Sequence, residues 1–215
     1  MYIVFVYALC LLMLLQMLYF LQYFFEFKTK DTLYYALFIF FNLLYTLVHE
    51  RILLPSNFIL LLESYLNVIS ISSVGFYYLF IQHLLNLHGQ NKPLNKLFNI
   101  LTITNMIVVS ILVSLAIVNI DSNILLFAVS ILSFPLYIYI IVCLGKMELP
   151  YSRYITFALI ILVFGMSTSA LLSIIHYYYP SFDSTFITLP SQIGLLGDLV
   201  LFNIAINKKN AISLY

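Results

Sequence analysis

Tryptophan is absent from this 215-residue chain, and charged side chains make up only 8% of it. A soluble domain carries about 25% charged residues, and it needs them to cover its surface. A water-soluble enzyme of this length is therefore excluded. Disorder is excluded as well: disordered segments combine low hydrophobicity with high charge, whereas 64% of this chain is hydrophobic. Cysteine is scarce. Cys10 and Cys143 both lie inside apolar runs, so the chain has no secreted disulfide framework. Neither sign of charge dominates: nine Lys+Arg stand against eight Asp+Glu, a net charge of +1. That balance gives no nucleic-acid footprint. Tyrosine (18) and phenylalanine (19) are plentiful. Without tryptophan, tyrosine takes over the anchoring role at the membrane–water interface. What remains is a polytopic membrane protein.

A bilayer core about 30 Å thick needs about 20 apolar residues per spanning helix. Seven runs meet that need, with ends set to within a few residues: Tyr2–Phe25, Thr32–Val48, Phe58–Leu85, Leu97–Val118, Ser122–Leu144, Tyr154–Tyr179 and Phe186–Ile206. Helices are required because the hydrocarbon offers no water to open backbone groups. The runs lack the alternation and the length of about ten residues of barrel strands. The first run has no basic n-region and no small-residue cleavage site, so it reads as a true span rather than a signal peptide. The expected fold class is an all-α, seven-helix transmembrane bundle, with residues 1–215 forming one domain.

Orientation follows from the cations. Lys28, Lys30, Lys92, Lys96, Lys146, Arg153, Lys208 and Lys209 fall on one side of the seven spans and Arg51 alone on the other. The sequence therefore predicts the N-terminus outside and the C-terminus in the cytoplasm. Pro55 and Asn57 announce the third span. Gly89 and Pro93 punctuate the third loop, Pro150 precedes the sixth span, Pro180 follows it, and Pro135 predicts a kink in the fifth. No loop exceeds about a dozen residues, which leaves no room for a soluble domain.

Two carboxylates interrupt the spans, Glu63 and Asp198. A charge at such depth costs about 3 kcal/mol on insertion scales, so each is a functional-site hypothesis by default. At 1.5 Å per residue, Glu63 lies about 9 Å from the outer end of the third span and Asp198 about 12 Å from the inner end of the seventh. Glu63, Asn67, Ser70 and Tyr77 share one helical face, as do Gly165, Ser169, Ser173 and His176, and Ser191, Gly194 and Asp198. All three stripes are expected to point into the bundle. The stripe on the sixth span reads as a packing face of small residues. Glu63, Asn67 and Asp198 are the candidate sensing and switch residues. His49 and His176 lie at outer helix ends and, with Glu50, Asp121 and Asp183, could form an outer metal- or anion-responsive site, although interfacial histidines exposed to water are the more economical reading. His49, Asp121, His176 and Asp183 are retained as a candidate outer ligand site. His83 and His88, at the inner end of the third span, read as solvated.

Several chemistries are removed. Every lysine falls in a loop or the tail, so no retinal Schiff base fits the last helix. No HExxH is present. Gly165-Met166-Ser167-Thr168-Ser169 lacks the second glycine of a GxSxG nucleophile site. The first three and last three spans show no internal similarity of the kind inverted-repeat transporters carry.

The segments KTKDTLYYALF (28–38), ERILLPSN (50–57), FIQHLLNLHGQNKPLNKLFNIL (80–101), SRYITFALIILVFGM (152–166) and QIGLLGDLVLFNIAINKK (192–209) resemble, in order and spacing, the bacterial seven-transmembrane receptors with diverse intracellular signalling modules. Asp198 stands where that family commonly carries a glutamate. The resemblance implies a non-enzymatic sensory module of the bacterial cytoplasmic membrane, without cofactor. It would relay an extracytoplasmic ligand signal to a cytoplasmic effector of histidine kinase or cyclase type, fused or separate, and a homodimer is compatible with it. Family members typically carry an outer sensing domain and an inner output domain, so this chain is expected to be either a trimmed core or a stand-alone module. The rival expectations are a proton-linked small-solute transporter built on the Glu63 stripe and a lipid-modifying enzyme built on the outer histidines.

Overall fold

Apolar runs flanked by polar turns become helices here, and every regular element of the described residues is α-helical. The computed structural model describes residues 2–118, 120, 122–178 and 185–213. The helices are α1 (Tyr2–Phe27), α2 (Lys30–His49), α3 (Ser56–Glu63), α4 (Leu66–Leu84), α5 (Leu87–Gln90), α6 (Lys92–Ile117), α7 (Asn123–Gly145), α8 (Ser152–Tyr178) and α9 (Thr185–Ser213). Five of them, α1, α2, α6, α8 and α9, are long and apolar enough to cross a membrane. The pair α3–α4 supplies a sixth span if its two halves are counted as one, and α7 adds a shorter apolar stretch, Ile131–Gly145.

The third predicted span is not one continuous helix. It breaks between Glu63 and Leu66, and the two halves meet at 72°. Tyr65 N–H closes the end of α3 with a short i to i−3 bond to Leu62 C=O (2.9 Å), and Ile69 N–H restarts the ladder on Tyr65 C=O (2.9 Å). Neither proline nor glycine marks the break, which is why the sequence reads straight through it. α6 begins about one turn before its predicted start. Asn91 Oδ1 accepts from Leu94 N–H (3.0 Å) and Pro93 occupies the first turn, two N-terminal signals at once.

The chain packs as two compact units, Ile3–Ile131 and Leu132–Tyr215, with the boundary inside α7. In the first unit α2 and α4 run antiparallel and meet through aromatic rings. Tyr34 faces His83 (5.0 Å between centroids), Tyr35 stacks on Phe80 (4.5 Å), Phe38 tilts against Tyr77 (4.9 Å) and Phe41 stacks on Phe76 (5.4 Å). Phe20 of α1 adds an edge contact to Tyr35 (4.8 Å). Each such pair contributes about 1 kcal/mol beyond its buried area. α4 meets α6 through Tyr78 and Phe98 and through Asn105, whose Nδ2 donates to the Ile71 carbonyl (2.9 Å). Gly75 leaves the room that the Asn105 amide occupies.

The second unit is built differently. α8 and α9 approach until their backbones touch. A methyl group at Gly165 would lie 2.5 Å from the Pro190 carbonyl oxygen, and one at Gly194 would lie 3.1 Å from the Ile161 carbonyl oxygen. Ser191 N–H, next to Pro190, donates to Ser169 Oγ of α8 (3.0 Å). At the other end of the pair the Lys208 ammonium sits over the Tyr154 ring (4.6 Å). Small residues permit this approach, and close packing is what associates helices where hydrophobic burial gives no advantage.

Candidate functional site

The predicted Glu63 stripe divides at the helix break. Glu63 is the last residue of α3, and its side chain is 41% exposed. Its Oε1 accepts from Arg51 Nη2 at 2.6 Å, and Arg51 is itself 65% exposed. This corrects the expectation of a carboxylate buried within a straight span. A straight helix would carry Glu63 inward with the stripe, whereas the 72° bend leaves it in reach of Arg51 and solvent. The turn that delivers Arg51 is tight. Arg51 (φ 53°) and Leu53 (φ 60°) both adopt the left-handed region without being glycine, a conformation that costs about 1 kcal/mol or more per residue. The sequence did single out Arg51, as the lone cation of its side, but not its pairing with Glu63.

Below the break the stripe continues inward. Asn67 is half-buried, and its Nδ2 donates to Ser122 Oγ (2.8 Å), joining the start of α4 to the turn before α7. Ser70 is half-buried and Tyr77 is buried. The Asn67–Ser122 bond links positions 55 apart in sequence, a separation that no local pattern encodes.

Asp198 lies in the second unit on α9 and is fully buried (0% exposed). It shares its helix face with Gly194, at the tightest part of the α8–α9 crossing. The expected inward stripe on α8 holds for Gly165, which is buried, and for Ser169, which meets α9. It does not hold for Ser173, which is exposed and returns its hydroxyl to the Ser169 carbonyl (2.9 Å). Past the glycine crossing the face of α8 turns outward.

The two histidines of the expected outer site belong to different units. His49 belongs to the first unit, where it stacks on Tyr45 (5.5 Å) and approaches Glu50 Oε1 (3.6 Å). His176 is half-buried in the second unit. Asp121 and Asp183 lie outside the described residues. Among the described residues no three His, Cys, Asp or Glu side chains are grouped to hold a metal ion.

At the opposite end of the first unit, His88 is exposed as expected, but His83 is not simply solvated. Its ring is half-buried against Tyr34, and Nδ1 meets the Leu79 carbonyl at 2.9 Å. Beside it Gln82 Nε2 donates to both Asn95 Oδ1 and Asn99 Oδ1 (2.7 Å each). This amide group went unnoticed in the sequence because Asn and Gln near a span end read as ordinary interface residues.

These observations define a class: an all-helical, multi-pass membrane protein with polar groups at helix breaks and crossings. The particular family is also identified, because the family model for 7TM diverse intracellular signalling matches residues 2–209, nearly the whole chain, and the chain belongs to that family. No curated protein and no solved structure gives a significant match.

Proposed function

We propose that this chain is the membrane relay of a bacterial sensory system. It takes an extracytoplasmic stimulus and passes a conformational difference to a cytoplasmic effector of histidine kinase or cyclase type. The observation that carries the reading is the family match over residues 2–209, since a signalling role is what that family's membrane domain implies. In this reading residues 1–215 act as one domain in the cytoplasmic membrane, with the N-terminus outside, the C-terminus inside and no catalytic role of their own.

The switch elements proposed are Glu63 with Arg51, Asn67 and Asp198. A stimulus shifts a two-state equilibrium only through unequal affinity for the two states. An exposed ion pair contributes about 1 kcal/mol or less. The Arg51–Glu63 contact therefore holds the α3–α4 bend weakly enough for a ligand to change it. Asp198 serves in this reading as the latch on α9, the last helix before the effector. His49, Asp121, His176 and Asp183 remain the proposed outer ligand positions.

The test is a fusion of the full chain to a kinase with measurable output. Arg51→Glu and Glu63→Arg should each shift basal output, and the double exchange should restore it. Asp198→Asn should change the stimulated-to-basal ratio. Output indifferent to all of these substitutions would remove the assigned switch roles.

A further inference from the structure

The end of α4, the short α5 and the start of α6 border an open cavity of about 260 Å³ in the first unit, lined by Gln82, His83, Asn86, His88, Asn95 and Asn99. All six lining side chains carry hydrogen-bonding groups and none is a carboxylate. Gln82 gives both amide hydrogens to the Asn95 and Asn99 oxygens, so each asparagine has its acceptor occupied and its two N–H donors left over. Lys92 and Lys96 stand on the same face of α6 as Asn95 and Asn99, at helical spacings of three, four and seven. Both lysines are exposed, and among the described residues neither forms an ion pair. A cation would find no carboxylate in this lining. The surplus is of N–H donors and positive charge, which suits an oxyanion.

We propose that this cavity is a binding site for a phosphate-bearing anion. The phosphate group is supplied either by an anionic phospholipid headgroup in the leaflet this end of the helices meets or by a phosphorylated solute. Asn95 and Asn99 donate to the phosphate oxygens while Lys96 and Lys92 neutralise the charge. His83, fixed through Nδ1 on the Leu79 carbonyl, walls the site, and Gln82 Oε1 remains an acceptor for a hydroxyl of a polyol group. The site is independent of the signalling role, because it uses none of the proposed switch residues.

The test uses the full chain in nanodiscs of phosphatidylcholine with and without phosphatidylglycerol, with glycerol phosphate added to the pure phosphatidylcholine discs. Retained lipid is read by native mass spectrometry and ligand stabilisation by thermal unfolding. Lys96→Gln with Asn99→Ala changes two exposed positions and should leave folding intact. Lys30→Gln, an equal charge change at the same end of the unit but outside the lining, is the control. A headgroup site predicts selective retention of phosphatidylglycerol that falls about tenfold in the double variant, close to 1.4 kcal/mol, and is kept in Lys30→Gln. A solute site predicts stabilisation by glycerol phosphate with the same dependence on substitution. Absence of both effects, or an equal loss in Lys30→Gln, would overturn the proposal.

Discussion

The two units solve one problem with opposite side chains. Between α2 and α4 the contact is made by large rings, and between α8 and α9 by glycines that bring backbone to backbone. Both answer the same constraint, that lipid tails are as apolar as leucine and give helices no hydrophobic reason to associate. Rings at the ends of rotatable side chains can repack when a neighbour shifts. Two backbones in contact have no rotamer to change. The α2–α4 pair is therefore suited to small adjustments, whereas α8 and α9 should move together as one body that carries Asp198 with it.

That contrast is most sharply broken at the glycines. Gly165→Val should destabilise the second unit by about 3 kcal/mol, the upper range for overpacking, because its neighbour is the Pro190 carbonyl rather than a flexible side-chain end. Loss of the folded fraction in detergent, followed by proteolysis, would register this. Phe80→Leu in the first unit should cost about 1.5 kcal/mol, since volume is nearly kept and one stacked pair with Tyr35 is lost. If Phe80→Leu proved the more damaging of the two, the assignment of a yielding and an unyielding unit would be reversed. Smaller again is the Asn105 bond between α4 and α6. Asn105→Ala should cost about 0.6 kcal/mol, the average for interhelical bonds in membranes, measured by the same unfolding assay. Smallest is the Arg51–Glu63 pair, for which a double-mutant cycle should give about 0.5 kcal/mol of coupling that declines as salt is raised.

Sequence and structure agree where periodicity and length decide the outcome. The helical class, the multi-pass character and the glycine face of α8 against α9 all follow from residue types at local spacings. What stayed hidden depends on tertiary geometry. The break at Ser64–Tyr65 carries no proline or glycine, and its Glu63–Arg51 contact spans a turn made by non-glycine residues at positive φ. Asn67 and Ser122 meet across 55 positions. The Gln82–Asn95–Asn99 amide group forms only because α4 and α6 run antiparallel side by side. In each case the residues were visible, but the partner that gives them meaning was not local.

The proposed threading puts Arg51 in one compartment and the eight other Lys and Arg residues in the opposite one. The direct measurement is labelling of intact cells with a membrane-impermeant thiol reagent, using Ser56→Cys and Gln90→Cys separately in a background where Cys10 and Cys143 are replaced by alanine. The prediction is labelling at position 56 in intact cells and at position 90 only after permeabilisation. Labelling of both positions from outside, or of position 90 alone, would contradict it.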